Sequence, residues 1–324
     1  MPLAPNTENY LYPKGHLLFQ KTGTSGLLHL GNVPDFGITL ELSKEEHYSA
    51  MQGTNETDKT RIKEKKAKAT ISLEEFSAEN VDIAFLGDGV NESSQAAGTL
   101  DAVETTTVSD KYVELDKYGV YSTKISHGAA SGGPFTAGET ITGGTSSATA
   151  KIAWVGSGFV EVINVTGTFQ AGETITGGTS SASATASSIE IRQDVVVTDD
   201  DETPTKRYTL GTDYSLQPDG GLIRELSGGS IASNTCYVSA DYGAKTLKSI
   251  NALVNSSTDG KLLYIGTPED GPKSRVDCWK CELTVSGEVK KISDSISSMP
   301  IEVSILSDRT NHPDNPFFKE TLIE

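Results

Sequence analysis

The stretch FTAGETITGGTSSATA, Phe135 to Ala150, returns as FQAGETITGGTSSASA from Phe169 to Ala184, identical at 14 of 16 positions and displaced by 34 residues. Each copy reads as strand, Gly-Gly turn, strand, with ETIT ahead of Gly143-Gly144 or Gly177-Gly178 and a small-residue strand behind. The glycine pairs are expected to supply the positive φ of a tight hairpin. A lone two-stranded hairpin is marginal in water. Two copies joined by GFVEVINV are therefore expected to face each other and bury one small shared core, so that duplication makes the unit self-sufficient. The surrounding segment, 127–190, carries few charges and is rich in Gly, Ser, Thr and Ala, with linker-like seams SHGAASGGP and ASS. It reads as a small all-β module inserted into a loop of a larger β domain, whose two parts are 1–126 and 191–324.

The flanks alternate in the manner of strands. Phe36, Ile38, Leu40 and Leu42 share one face and Gly37, Thr39, Glu41 and Ser43 the other, a half-buried strand. A second alternating run places Ala67, Ala69, Ile71 and Leu73 together, while residues 44–65 between the two runs are polar on both faces. That pattern describes a long hairpin projecting from a sheet. Its return strand is basic: residues 56–68 hold six bases against three acids in a chain of net charge −17. Lys59, Arg61, Lys63, Lys65 and Lys66 are thus candidate contacts to an acidic surface of another copy.

SAENVDIAFLGDG predicts one short helix, with Ser77 as cap, Glu79 in the first turn, Val81, Ala84 and Phe85 on one face, and Gly87 as the stop. Strands resume after the repeat, with PDGG from Pro218 as a strong turn signal. The low apolar fraction, 35%, and 32 glycines suit a mainly β fold with many turns.

The acidity argues against stable binding to nucleic acid phosphates, which calls for a basic face. The first residues lack a basic stretch followed by an apolar core, so no secretory signal is expected, and no apolar run is long enough for a membrane anchor. Three cysteines form no disulfide framework and suggest a reducing cytoplasm. Cys278 and Cys281 have redox-pair spacing, but three apart in a strand they should point to opposite faces. Five scattered histidines lack paired spacing, Asp199–Glu202 lacks the spaced ligands of a calcium loop, and no nucleophile elbow or dinucleotide loop is present. No enzyme, cofactor or metal is expected.

The segment GLLHLGNVPDFGITLELSKEEHYSAMQGTNETD resembles the amino-terminal signature of the tail tube (major tail) proteins of double-stranded DNA bacteriophages, through Leu30, Gly31, Asn32, Pro34, His47, Tyr48, Ser49 and Gly53. The helix segment and the block VVVTDDDETPTKRYTLGTDYSLQPDGGLIRELSGGSI are similar to later parts of that family, so the likeness covers about 10–125 and 191–310. The resemblance implies a β-sandwich or barrel subunit forming rings, usually hexameric, that stack into a hollow tube. Its partners would be further copies of itself, other tail proteins at the tube ends, and genome DNA in transit through the lumen during ejection. It would reside in the virion after assembly in the host cytoplasm. An acidic lumen repels phosphate, and Asp194 to Glu225, with eight acids against three bases, is one source of that charge. The inserted module is expected on the tube exterior, where it would clash with a close-fitting sheath, which favours a non-contractile tail. The alternative is a receptor- or carbohydrate-binding virion adhesin using the repeat module, with Phe135, Trp154, Phe159 and Phe169 as its only aromatic candidates.

Overall fold

A computed structural model describes residues 10–49, 51, 53, 56–231 and 235–323. The chain forms two compact units, Met1–Glu92 with Lys248–Glu324, and Ser93–Leu247. It begins in the first unit with β1 (Gly15–Lys21), β2 (Leu28–His29), β3 (Asp35–Ser49), β4 (Glu56–Leu73) and α1 (Ala78–Ala84), and β5 (Val90–Gln95) runs across the boundary at Glu92. The second unit holds β6 (Gly98–Thr106), β7 (Tyr112–Glu114), β8 (Val120–His127), β9 (Thr140–Gly143), β10 (Thr149–Gly156) and β11 (Phe159–Thr166). It continues with β12 (Thr174–Gly177), β13 (Ser183–Arg192), β14 (Val196–Thr198), β15 (Tyr214–Gln217), β16 (Leu222–Glu225) and β17 (Thr235–Tyr242). Then β18 (Lys245–Ile250), β19 (Thr258–Gly266), β20 (Lys273–Val285), β21 (Met299–Ile305) and β22 (Phe318–Ile323) complete the chain. The fold is mainly β, as expected, and α1 is the one helix among the described residues.

The first unit is built on an antiparallel sheet of order β2-β1-β19-β20-β21-β4-β3, with β22 beside the first half of β20. Alternation sets its core. Leu17 and Phe19 of β1, Ala67, Ala69, Ile71 and Leu73 of β4, and Met299, Ile301, Val303 and Ile305 of β21 are buried together with Ile83 and Ala84 of α1. Each large aliphatic side chain so buried contributes about 1.5–3 kcal/mol. On β3 the apolar face outruns this core: Phe36 and Ile38 pack against it, whereas Leu40 and Leu42 are 64% and 57% exposed.

The helix starts as expected, the Ser77 hydroxyl accepting from the Asn80 N–H at 3.1 Å. Its stop differs. Leu86, not Gly87, takes the left-handed conformation (φ 53°), and the N–H groups of Leu86 and Gly87 reach back to the carbonyls of Ile83 (3.3 Å) and Asp82 (2.9 Å). Gly87 is needed for space instead, since a Cβ there would sit 2.2 Å from Asp82 Oδ1.

A bulge in β20 overturns the expectation for the cysteines. Gly260 lies opposite Cys281 and Leu262 opposite Cys278, so two residues of β20 face one of β19 and the side-chain parity shifts. Both thiols consequently point into the same core, 1% and 0% exposed.

In the second unit the repeats close into a six-stranded antiparallel barrel. β8 pairs with β11, β11 with β10, β10 with β9, β9 with β12, β12 with β13, and β13 with β8 again. Its interior is the shared core expected of the duplication, with Phe135 and Phe169, Ile141 and Ile175, and Ala150 and Ala184 at the repeat spacing. The strand that completes the ring, β8, lies mostly ahead of residue 127 and also pairs with β17. A second core around Tyr214, Ile223 and Val238 supports the rest of the unit.

Candidate assembly surface

β3 and β4 form the long hairpin, which loses its support part-way along. β21 pairs with β4 only as far as Ile305 opposite Ala67. Beyond that point β4 and β3 stand as two strands among the described residues, where β3 closes the sheet with an unpaired edge 15 residues long. Two register shifts leave Lys63 and Asp58 without opposite numbers, and Asp58 meets His47 Nδ1 at 2.6 Å.

The five basic residues expected at a contact all lie on β4 and are exposed. Lys59 stands opposite His47, Arg61 opposite Glu45, Lys65 opposite Leu42 and Lys66 opposite Glu41, while Lys63 occupies the bulge. Pairing dilutes their charge: Glu41, Glu45 and Glu46 of β3, less its one base Lys44, bring the +3 of residues 56–68 to +1. Lys66 also binds Glu64 at 3.0 Å, and this hydrogen-bonded ammonium holds the Glu64 carboxyl below its usual range. Exposed pairs of this kind contribute little stability.

Cross-strand neighbours share a face, so the core-facing stripe of β3 continues outward through Leu40 and Leu42, both more than half exposed, until Lys44 and Glu46 interrupt it ahead of Tyr48, with Ile62 of β4 opposite Lys44. A groove of about 280 Å³ beside Leu40 and Leu42 is lined by Lys65, Ala67, Pro316, Phe317 and Phe318. The period-two signal was visible in the sequence as far as Leu40 and Leu42; what covers them was not.

The barrel explains the repeat in finer detail. Across β9 and β12, Ile141 pairs with Gly177 and Gly143 with Ile175, so a shift of 34 residues exchanges the two pairs. About this pseudo-dyad each copy lends the other a carboxylate. Glu139 accepts from the Thr179 N–H (3.1 Å), the Ser180 N–H (2.9 Å) and the Ser180 hydroxyl (2.8 Å), and from the Thr136 N–H (2.7 Å) in its own copy. Glu173 does the same with Thr145, Ser146 and Gln170. Burial pushes both carboxyls up, but these hydrogen bonds outweigh it and hold them below the usual carboxylate range.

The expectation for the glycine pairs fails here. Gly143, Gly144, Gly177 and Gly178 do not take positive φ; Gly138, Gly172, Ser147 and Ser181 do. Gly143 and Gly177 instead make room, because a Cβ on either would lie 2.7 Å from a carboxylate oxygen of the other copy.

Two stretches of the chain, 10–190 and 161–317, match the model of a family described as protein of unknown function UCP028589. The chain belongs to this family. The span matched twice, 161–190, holds the second copy of the repeat. No curated protein matches the chain.

Other polar clusters in this family member are satisfied internally. Asp199 accepts from Thr205 and Lys206, and Asp200 from Glu202 and Thr203, so the acidic turn folds on itself. The Glu161 carboxylate, 1% exposed, is held by Arg192 (2.9 Å) and Arg207, and Asp194 receives both arginines and the Tyr214 hydroxyl (2.7 Å). Among the described residues no three His, Cys, Asp or Glu side chains are placed to hold a metal ion, and no helix is long and apolar enough to cross a membrane.

Proposed function

We propose that this chain is a structural subunit that polymerises into the tail tube of a double-stranded DNA bacteriophage. In this reading hexameric rings stack into a hollow tube, capped by other tail proteins. The acidic lumen passes the genome during ejection without binding it stably. The repeat barrel decorates the outer wall of a non-contractile tail, and the protein is a virion component without catalysis or cofactor.

The observation that carries this reading is the hairpin. A long strand edge left free among the described residues, beside the exposed Leu40 and Leu42, is an aggregation liability in a monomer, and assembly turns it into an interface. The resemblance of the flanking segments to tail tube proteins and the net charge of −17 agree with it. An adhesin receives less support, since Phe135 and Phe169 are consumed by the barrel core rather than offered as a binding platform.

Purified protein examined by negative stain and sedimentation tests the proposal. Stacked rings are expected from the wild type. Lys63→Glu, Lys65→Glu and Lys66→Glu together should leave a folded subunit that does not form tubes. A wild type that remains a monomer or a closed trimer at high concentration would refute the reading.

A further inference from the structure

The loop joining β20 to β21, residues 286–298, is braced from within. The Ser286 N–H donates to the Pro300 carbonyl at its base (3.3 Å), and the Ser297 hydroxyl donates to the Lys290 carbonyl. The Ser295 N–H donates to the Ser293 hydroxyl (3.2 Å). The Lys291 ammonium lies over the rings of Phe76 (5.1 Å) and Phe85 (5.0 Å), which pins the chain just ahead of Ile292. What this scaffold holds out is apolar. Ile292 is 96% exposed and Ile296 79%, with the exposed Asp294 between them in the chain. Neither isoleucine belongs to the core of the unit. A single exposed aliphatic residue is ordinary, but two presented on one pre-ordered loop suit a partner, because little further ordering is needed on binding.

A matching recess lies at the other end of the same strand. The groove of about 280 Å³ at the base of the hairpin offers Leu40, Leu42, Pro316, Phe317 and Phe318. Lys65 also lines it and has no ion pair among the described residues, whereas Lys66 is held by Glu64. β21 runs from Met299, beside the loop, to Ile305, which stands opposite Ala67 of the groove. At about 3.3 Å per residue these two ends are roughly 20 Å apart. The loop of a chain therefore does not reach its own groove, and no loop residue lines it.

We propose that the groove at the hairpin base receives the 286–298 loop of a second copy, with Ile292 and Ile296 against Leu40, Leu42 and Phe318 and with Asp294 facing Lys65. The occupant is another copy because loop and groove match in kind, protruding apolar against recessed apolar and acid against base, and sit at opposite ends of one strand. Such a contact is heterologous. Each copy added leaves one loop and one groove free, so the contact repeats into a ring or a stack. The inference rests on the self-assembly reading above and names a contact for it.

Sedimentation of the full chain tests it. Ile292→Ser with Ile296→Ser should leave the circular dichroism spectrum and the melting profile unchanged, since both side chains already face water. Association should weaken at least about tenfold, a factor that burial of one aliphatic side chain supplies. Asp294→Lys should weaken it as well, and adding Lys65→Glu to the same chain should restore it, because each contact then pairs the exchanged charges. Ile296→Cys on one chain and Leu42→Cys on another should give a disulfide-linked dimer under diamide when mixed and not when alone, the native cysteines being buried. Wild-type association by the double serine variant, or multimers that never yield this cross-link, would overturn the contact while leaving self-assembly intact. Failure of Lys65→Glu to rescue Asp294→Lys would overturn the charge pairing. A wild type that stays monomeric at every concentration would remove the assembly reading and this contact together.

Discussion

Replacing Glu139 with alanine deletes one of the two carboxylates exchanged between the repeats. It strands four donors, the N–H groups of Thr136, Thr179 and Ser180 and the Ser180 hydroxyl. Hydrogen bonds to a charged acceptor contribute about 1.5–3 kcal/mol each to stability. Water can reach part of this site, since Thr136, Glu139, Thr179 and Ser180 border an open surface cavity of about 370 Å³. The net loss should therefore be about 3 kcal/mol rather than the full sum. For a unit of this size that lowers Tm by about 6–12 °C. Trp154 lies in the barrel and Trp279 in the other unit, so its fluorescence in a Trp279→Phe background follows the right transition. The charge leaves a second signature. Because the folded-state carboxyl lies below its ordinary value of 4.5, its stabilisation is present above that value and fades as pH falls through the folded one. Glu139→Gln, which keeps the shape and loses the charge, should flatten the decline in Tm between about pH 5 and about pH 2. A Tm within about 2 °C of wild type for Glu139→Ala, or equal acid slopes for wild type and Glu139→Gln, would refute the reciprocal clasp.

The remaining expectations concern other parts of the fold. Gly143→Ala or Gly177→Ala drives a methyl to 2.7 Å from the opposite carboxylate and should cost about 1–3 kcal/mol in urea unfolding, although neither glycine has positive φ. Glu161→Ala leaves Arg207 buried beside Asp194 alone and should cost about 3–5 kcal/mol, whereas Tyr214→Phe, which removes one hydroxyl, should cost about 1–2 kcal/mol. Burial pushes the Cys236 thiol up to about 12, and the neighbouring Cys281 thiol together with burial raises Cys278 far above its ordinary range. All three cysteines should therefore resist alkylation at neutral pH until the protein unfolds, and labelling at the rate of a free thiol would contradict their burial.

Local pattern carried much of this protein. Period-two alternation marked β3 and the inner half of β4, and a cap-capable serine marked the start of α1. The 34-residue repeat implied a core shared between two copies, which Ile141 with Ile175 and Phe135 with Phe169 now form. These features were legible because each depends on neighbours close in sequence or on a spacing that repeats. Along an unbroken strand the sequence could say which side chains share a face, but not what stands opposite that face. Leu40 and Leu42 follow the same alternation as Ile38, yet they are exposed because the covering core ends before them. The bulge in β20 belongs to its pairing with β19, and it alone turns Cys278 and Cys281 to one side. The closing of β8 onto β11 and β13, and the crossing of Glu139 and Glu173 between copies, depend on strands far apart along the chain. The same holds for the glycines of the repeat: composition suggested a turn conformation, whereas the required smallness of Gly143 and Gly177 comes from Glu173 and Glu139 of the opposite copy. Tertiary structure decides such points because close approach is a property of two surfaces, and sequence periodicity describes only one at a time.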